Sequence, residues 1–314
     1  MSETQPLVSI GMPLLNGEVL LREALDALLA QTHRNLEIII SDNASTDGTR
    51  AIYEEYAKRD ARIRFDRLPE RVPAQINFNR LLEMAHGEYF MWAAFDDCWE
   101  PEFIERLLAE LQKQQDAVLA FARWNNIDWR GNVVREFTQP WGEIVESSRF
   151  HQFSKFLLES ESETLKATAL YGLIRTKALR EIGGIPLQRK WYSGADVLAL
   201  VRLLAKGRFV FIDETLFHYR IRDLSVRKSE PLGTYLLQRV GGKSTGHGGN
   251  LLRYLSEMHD MHASLRSFAR REMPLGFSAR AILWLRLWAK ELMNPFIAIP
   301  RSVGKELRPA ASRT

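Results

Sequence analysis

Residues 89–101 read Tyr-Phe-Met-Trp-Ala-Ala-Phe-Asp-Asp-Cys-Trp-Glu-Pro, an apolar run of strand length that ends in two adjacent carboxylates, Asp96 and Asp97. Paired acids at the end of a buried strand are costly unless positive charge meets them. A divalent cation carrying a phosphorylated ligand is the simplest such partner. An N-cap acid with a surface neighbour needs no ligand, and this segment alone leaves both readings open. A second polar cluster, Ser41-Asp42-Asn43-Ala44-Ser45-Thr46-Asp47-Gly48-Thr49, follows a β-branched run. An acid in that place can accept hydrogen bonds from a base or a ribose, or it can close an Asx turn that caps a helix.

The elements that must position these clusters alternate. Leu7–Met12, Leu36–Ser41, Arg62–Asp66 and Glu88–Phe95 read as strands. Glu18–Gln31, Asp47–Lys58, Pro73–Ala85 and Pro101–Gln114 read as helices; the first has apolar residues at 20, 21, 24, 25, 28 and 29. Repeated βαβ units predict a mainly parallel α/β sheet, whose ligands sit beyond the carboxyl ends of the strands. Pro13–Gly17, Ser41–Gly48 and Asp96–Asp97 all fall at such ends. The second half is mixed. Val118–Trp129, Val133–Phe137, Ala167–Arg175, Phe209–Ile212 and Thr215–Ile221 read as strands, Ala195–Lys206 as a helix, and the chain from about 250 onward as helices.

Composition sets the outer limits. Of 314 residues 46% are apolar and 26% charged, ordinary for a globular chain, and a net charge of +4 gives no argument for nucleic acid. The single cysteine, Cys98, excludes an internal disulfide. Met1–Pro6 has neither a basic n-region nor an apolar h-region, so no signal peptide is expected. Ala281–Pro300 is interrupted by Arg286, Lys290 and Glu291, against a spanning helix. Gly242-Lys243-Ser244 lacks the upstream glycine and strand of a phosphate loop; a loop over an acceptor is the alternative.

Four motifs occur in order: Met12-Pro13-Leu14-Leu15-Asn16, Ser41-Asp42-Asn43-x-Ser45-x-Asp47-Gly48-Thr49, Asn79…Ala85-x-Gly87-Glu88-Tyr89 and Asp96-Asp97-x-Trp99-x-Pro101. Over about residues 6–225 the chain resembles the family-2 glycosyltransferases, inverting enzymes of the GT-A fold that use nucleotide-diphosphate sugars. The resemblance implies a mixed, mainly parallel sheet flanked by helices, with a C-terminal helical extension. The catalytic domain would span 1–230, its nucleotide-sugar half about 1–115 and its acceptor half about 116–230, with the extension over 231–314. It implies that Asp42 contacts the nucleobase, that Pro13, Leu14 and Asn16 line base and ribose, and that Asn79 belongs to the nucleotide-sugar site. Asp96 and Asp97 correspond to the DxD-type motif, binding Mn2+ or Mg2+ and ribose; Ala94 stands where the family often has a further acid.

The catalytic base maps to Asp196 in Trp191-Tyr192-Ser193-Gly194-Ala195-Asp196, where relatives often carry Glu-Asp. Without a resemblance, Asp196 is an acid favoured by a helix N-terminus. Phe217-His218-Tyr219-Arg220-Ile221-Arg222 resembles the family's Tyr-Arg-x-His segment, which puts Arg222 at the histidine position as a cation for phosphate. Arg71, ahead of the Pro73 helix, is a further candidate for the phosphates. The Gln-x-x-Arg-Trp motif of processive members is absent, which implies single addition.

The expected partners are a UDP, GDP or TDP sugar and a glycan or lipid-linked acceptor, in surface polysaccharide or glycolipid assembly. The expected location is cytoplasmic. From Ser264 to Thr314 there are ten Lys/Arg against three Asp/Glu, with Trp284, Leu287, Trp288 and Leu292 at helical spacing. Such a helix suits peripheral contact with the inner face of a membrane, or packing on the catalytic domain. Two other functions stay in view. One is a non-catalytic nucleotide-sugar binding module, which Ala94 and Ala195 permit. The other is a sugar nucleotidyltransferase, which needs a Gly-rich basic loop after the first strand, where this chain has Met12-Pro13-Leu14-Leu15-Asn16-Gly17.

Overall fold

A computed structural model describes residues 5–137, 141–158, 166–187, 195–221 and 262–297, with side chains omitted at 166 and 292–297. Four parallel strands form one end of the sheet: β1 (Val8–Leu14), β2 (Leu36–Asp42), β3 (Ile63–Arg67) and β4 (Tyr89–Trp92), in spatial order β3-β2-β1-β4. Each of β1, β2 and β4 is buried along most of its length, as a strand covered on both faces must be. The crossovers are α1 (Leu21–Leu29), α2 (Thr49–Arg59) and α3 (Ala74–Met84). The last is pinned to β2 where Asn77 Nδ2 donates to the Ser41 carbonyl (2.9 Å) and the Ser41 hydroxyl donates to Asn77 Oδ1 (2.5 Å).

The chain then turns through β5 (Cys98–Trp99) and α4 (Phe103–Lys113) into β6 (Ala117–Ile127), with β7 (Val133–Glu136) on its side. Helices α5 (Trp141–Glu146) and α6 (Arg149–Leu158) follow. A 3-10 turn over Lys166–Tyr171, β8 (Leu173–Arg175), α7 (Thr176–Glu181), α8 (Ala195–Lys206) and β9 (Arg208–Arg220) complete the sheet. Its nine strands run β3-β2-β1-β4-β8-β6-β9-β5, with β7 paired to β6. β8 is antiparallel to both β4 and β6 and joins the parallel end to the β6–β9 pair, itself parallel. Helix α9 (262–271) and helix α10 (Phe277–Ile297) pack behind α6, with Phe153 against Phe268 and with Leu283 and Leu287 fully buried.

The structure departs from expectation at four places. Ala167–Arg175 is a 3-10 turn followed by a three-residue strand, because Gly172 lies so close to β6 that a Cβ would stand 2.2 Å from the Ala120 carbonyl oxygen. The strands expected over Phe209–Ile212 and Thr215–Ile221 are one strand, β9. Asp213 and Glu214, which look like a break, form a bulge opposite the Ala122–Arg123 step of β6, and their carboxylates pair outward with Arg123 and Arg106. Helices α5 and α6 were not anticipated. The fourth strand is also shorter than expected, ending at Trp92, so that Ala93–Asp97 forms a turn.

Candidate active site

The loops after β1 and β2 are laced together. Asn16 and Ala44 both adopt left-handed backbone (φ 53° and 58°), which brings the loops edge to edge. The Asn16 backbone N–H donates to Ser45 Oγ (2.9 Å), the Thr46 N–H returns to Asn16 Oδ1 (2.9 Å), and the Gly17 N–H reaches Thr49 Oγ1 (2.7 Å). Pro13 and Leu14 lie in register with Ser41 and Asp42. Leu14 is buried and Asn16 exposed at the rim.

Asp42 is fully buried and closes the Asx turn: Oδ1 accepts from the Ser45 N–H (2.9 Å) and hydroxyl (2.5 Å). Oδ2 accepts from the Tyr53 hydroxyl and Arg67 Nε, both at 3.2 Å. Burial and the Asp42 charge push the Tyr53 phenol up to about 12. Arg67, absent from the sequence-based candidates, is thus the cation that meets Asp42. It stands at the end of the neighbouring parallel strand, where an arginine beside a buried acid was a readable signal. Arg71 is exposed on the loop before α3, next to Val72, whose backbone is clasped in both directions by the Asn43 amide (2.8 Å each).

Asp96 and Asp97 are both buried in the tight turn between β4 and β5, where the Asp97 N–H donates to the Ala94 carbonyl (3.4 Å). The residue that holds this turn is Arg220, at the last position of β9. Its backbone N–H donates to Asp97 Oδ1 (2.8 Å). Its buried guanidinium donates to the Asp96 carbonyl (2.7 Å), the Asp128 carbonyl (2.9 Å), Glu23 Oε1 (2.6 Å) and Cys98 Sγ (3.4 Å). Burial and the adjacent Glu23 carboxylate raise the Cys98 thiol to about 12 despite the opposing arginine. The motif around Arg220 draws attention to its neighbours His218 and Arg222 instead. The signal was an arginine inside an otherwise buried strand segment, which must be paired. His218, two residues earlier, faces Glu100 (2.9 Å).

Asp196 lies in the first turn of α8, its Oδ1 accepting from the Val197 N–H (2.8 Å). Tyr171, at the end of the 3-10 turn, ties it to the acid pair. Desolvation holds that phenol well above the usual tyrosine range, reinforced by Tyr219 and then by the carboxylates of Asp97, Asp196 and Asp96. The charges of the Asp96–Asp97 turn and of the α8 N-terminus are thus both felt at this phenol. Nothing in the sequence pattern singled out Tyr171. Asn79 is engaged elsewhere: its amide donates to the Ile185 carbonyl and accepts from the Ile185 N–H (2.8 Å each), fixing the Gly183-Gly184 turn. Gly184 has φ 68°, and a Cβ there would stand 2.5 Å from Asn79 Oδ1. Arg222, Trp191, Tyr192 and the 241–249 loop lie outside the described residues. Trp124 and Trp141 are core, whereas Trp129 is exposed beneath Arg130.

Among the described residues no three His, Cys, Asp or Glu side chains form a cation cage. The donor set at Asp96–Asp97 is two hard carboxylates without nitrogen or sulfur ligands. That suits Mg2+ or Mn2+ completing its shell with water and substrate phosphate, and not zinc.

A parallel half with acids at its strand ends, joined through an antiparallel strand to a second half that carries another acid on a helix, is the architecture of the GT-A glycosyltransferases. The comparisons agree. The structure of S. aureus TarS residues 1–349 superposes with a TM-score of 0.58 at 17% identity, over 92% of this chain and 91% of that one. A mannosyltransferase from Pyrobaculum calidifontis, solved with GDP-Man and Mn2+, gives 0.55 at 14%, over 94% and 88%. The sequence profile of glycosyl transferase family 2 matches residues 9–183. A Bacillus subtilis protein named as a teichuronic acid biosynthesis glycosyltransferase, TuaG, is 32% identical over 231 residues, 73% of this chain and 85% of its own. An uncharacterized glycosyltransferase of Methanocaldococcus jannaschii is 27% identical over 77% and 82%. The chain belongs to glycosyl transferase family 2.

Proposed function

We propose that this chain is an inverting, non-processive glycosyltransferase of the hexosyl-transferring class. It moves one sugar from a nucleotide-diphosphate donor to an acceptor hydroxyl in surface polysaccharide or glycolipid assembly. The observation that carries the reading is the buried Asp96–Asp97 turn, held by Arg220, which lies with the buried Asp42 at and beyond the carboxyl ends of the parallel strands β4 and β2. The donor's base and ribose lie against Pro13, Leu14 and Asn16. The base meets Asp42 on its Oδ2 side, where Arg67 is the partner that can yield. Asp96 and Asp97 would hold Mn2+ or Mg2+, which when bound would offset charge on the departing diphosphate. Arg71 and Arg222 supply further positive charge to the phosphates. Asp196 accepts the proton of the acceptor hydroxyl as that oxygen attacks the anomeric carbon opposite the diphosphate, and a single displacement inverts the centre. Solved relatives with UDP-GlcNAc, with UDP, and with GDP-Man and Mn2+ support a nucleotide-sugar donor and a divalent cation. The TuaG likeness supports a glycan-assembly role.

Calorimetry with UDP, GDP, TDP and their sugars, each with Mn2+ and with EDTA, tests this on wild type and on Asp96→Asn/Asp97→Asn. Metal-dependent binding of one nucleotide, lost in the double variant, is the expected result. Well-folded protein that binds none of them would put the non-catalytic module ahead.

A further inference from the structure

Helix α10 is amphipathic in an unusual sense. Leu283 and Leu287 point into the body of the protein and are fully buried, which satisfies the usual apolar stripe. The opposite arc should then be polar. Instead it carries Phe277 (82% exposed), Leu285 (60%), Ile282 (45%) and Trp288 (36%). At 100° per residue the positions between them on that arc, within 277–291, are Ser278, Ala281 and Ala289, so no charge interrupts it. The surroundings are basic: exposed Arg286 borders the arc, and exposed Arg270 and Arg271 end the preceding helix. The nearby acids are already neutralised, Glu291 by Arg266 and Glu272 by Arg202. The Trp288 ring is capped by Arg266, with 4.3 Å from the guanidinium carbon to the ring centre.

We propose that this face of α10 docks on an anionic lipid surface. The apolar arc would enter the headgroup–acyl boundary, with Trp288 at the interface and Arg270, Arg271 and Arg286 against the lipid phosphates. A second copy of the chain is the poorer occupant. A two-fold contact through this arc sets the arginine rim of one copy against that of the other, with no carboxylate among the described residues of the arc to separate them. The reading does not depend on the transferase assignment. It replaces the stripe expected from sequence, since Leu287 faces inward and Leu285 outward.

The test is co-sedimentation of the full chain with vesicles of phosphatidylcholine alone and of phosphatidylcholine mixed with phosphatidylglycerol, with tryptophan emission read in parallel. The expected result is pelleting with the anionic vesicles, a blue-shifted emission, and release as salt rises. Ile282→Asp/Leu285→Asp should weaken binding by at least about tenfold. Arg271→Gln/Arg286→Gln should weaken it by about fivefold per arginine, on the anionic vesicles only. Because both pairs are exposed, their melting temperatures should match wild type; should the aspartate pair misfold, the arginine pair carries the test alone. No pelleting with anionic vesicles, or pelleting that neither folded variant changes, would overturn the proposal. So would a dimer in light scattering that Leu285→Asp dissociates while vesicles are ignored.

Discussion

At the ends of β1 and β2 nearly every polar group has a partner within the chain, whereas the half built around β6 buries polar atoms that have none among the described residues. Asp42 alone receives four hydrogen bonds, and the Asn16, Asn43 and Asn77 amides each tie one loop or helix to another. Among the described residues, the fully buried Asn126 of β6 finds no partner for either amide atom, and the indole N–H groups of buried Trp124 and Trp141 find none either. A buried group without a partner costs about 1–3 kcal/mol. The first half is therefore organised before any ligand arrives. The second is held by aromatic packing, such as Trp124 on Phe137 and Trp141 against Phe121 and Phe156, and leaves hydrogen-bonding capacity unspent.

The contrast can be broken most sharply at Asp196. If nucleotide binding belongs to the first half alone, Asp196→Asn should lower kcat by about a factor of 10^2 to 10^4. The nucleotide Kd from calorimetry should stay at the wild-type value; a matching rise in Kd would show that the halves do not divide the work. Next in size is Arg220, which stitches the halves together. Arg220→Met strips four guanidinium hydrogen bonds and should cost about 3 kcal/mol in urea unfolding, since hydrogen bonds to charged groups contribute about 1.5–3 kcal/mol each and part of the loss is recovered by water. Glu23→Gln, on the exposed side of the same pair, should cost under about 1 kcal/mol.

A single type of substitution should then have opposite signs in the two halves. Asn77→Leu strands the Ser41 carbonyl and should destabilise by about 2 kcal/mol. Asn126→Leu removes an unsatisfied amide and should be neutral or stabilising by about 1 kcal/mol in the same assay. The smallest effect is in alkaline pH dependence. The Tyr53 phenol titrates higher folded than unfolded, so its contribution is complete below the unfolded value near 10 and is lost as pH rises toward about 12. Wild type should therefore lose stability across that window more steeply than Tyr53→Phe, as chemical unfolding at several pH values would show.

The first half was legible in the sequence because its period changes cleanly between strand and helix; each strand and helix expected there lies within a few residues of its span, and the two-residue β5, too short to carry a period, was the element missed. Carboxylates at parallel strand ends were legible for the same reason, since the topology dictates where they fall. The second half hid its helices α5 and α6 in an aromatic-rich stretch, although Ser148 caps the second of them by accepting from the His151 N–H (3.3 Å). It hid the continuity of β9 behind Asp213-Glu214, since a bulge and a turn look alike in one dimension. Arg220 escaped because its significance is tertiary: it matters for the carbonyls and the carboxylate it reaches, all far from it in sequence. Asn79 marks the converse. Its place in a motif suggested the donor site, but its amide serves the Gly183-Gly184 turn.

The only cysteine of the chain lies beneath the Arg220 guanidinium, in the same turn as the acid pair. Held near 12, its thiol is almost entirely protonated at neutral pH and slow to react. The residue is half-buried, and opening of that turn would uncover the rest of it, part it from Glu23 and return it to ordinary reactivity. A thiol reagent applied to the unmodified protein thus acts as a stopwatch for one event, the momentary release of the strand that cradles Asp96 and Asp97. How far any bound nucleotide slows that clock measures directly how tightly the ligand and this turn are coupled.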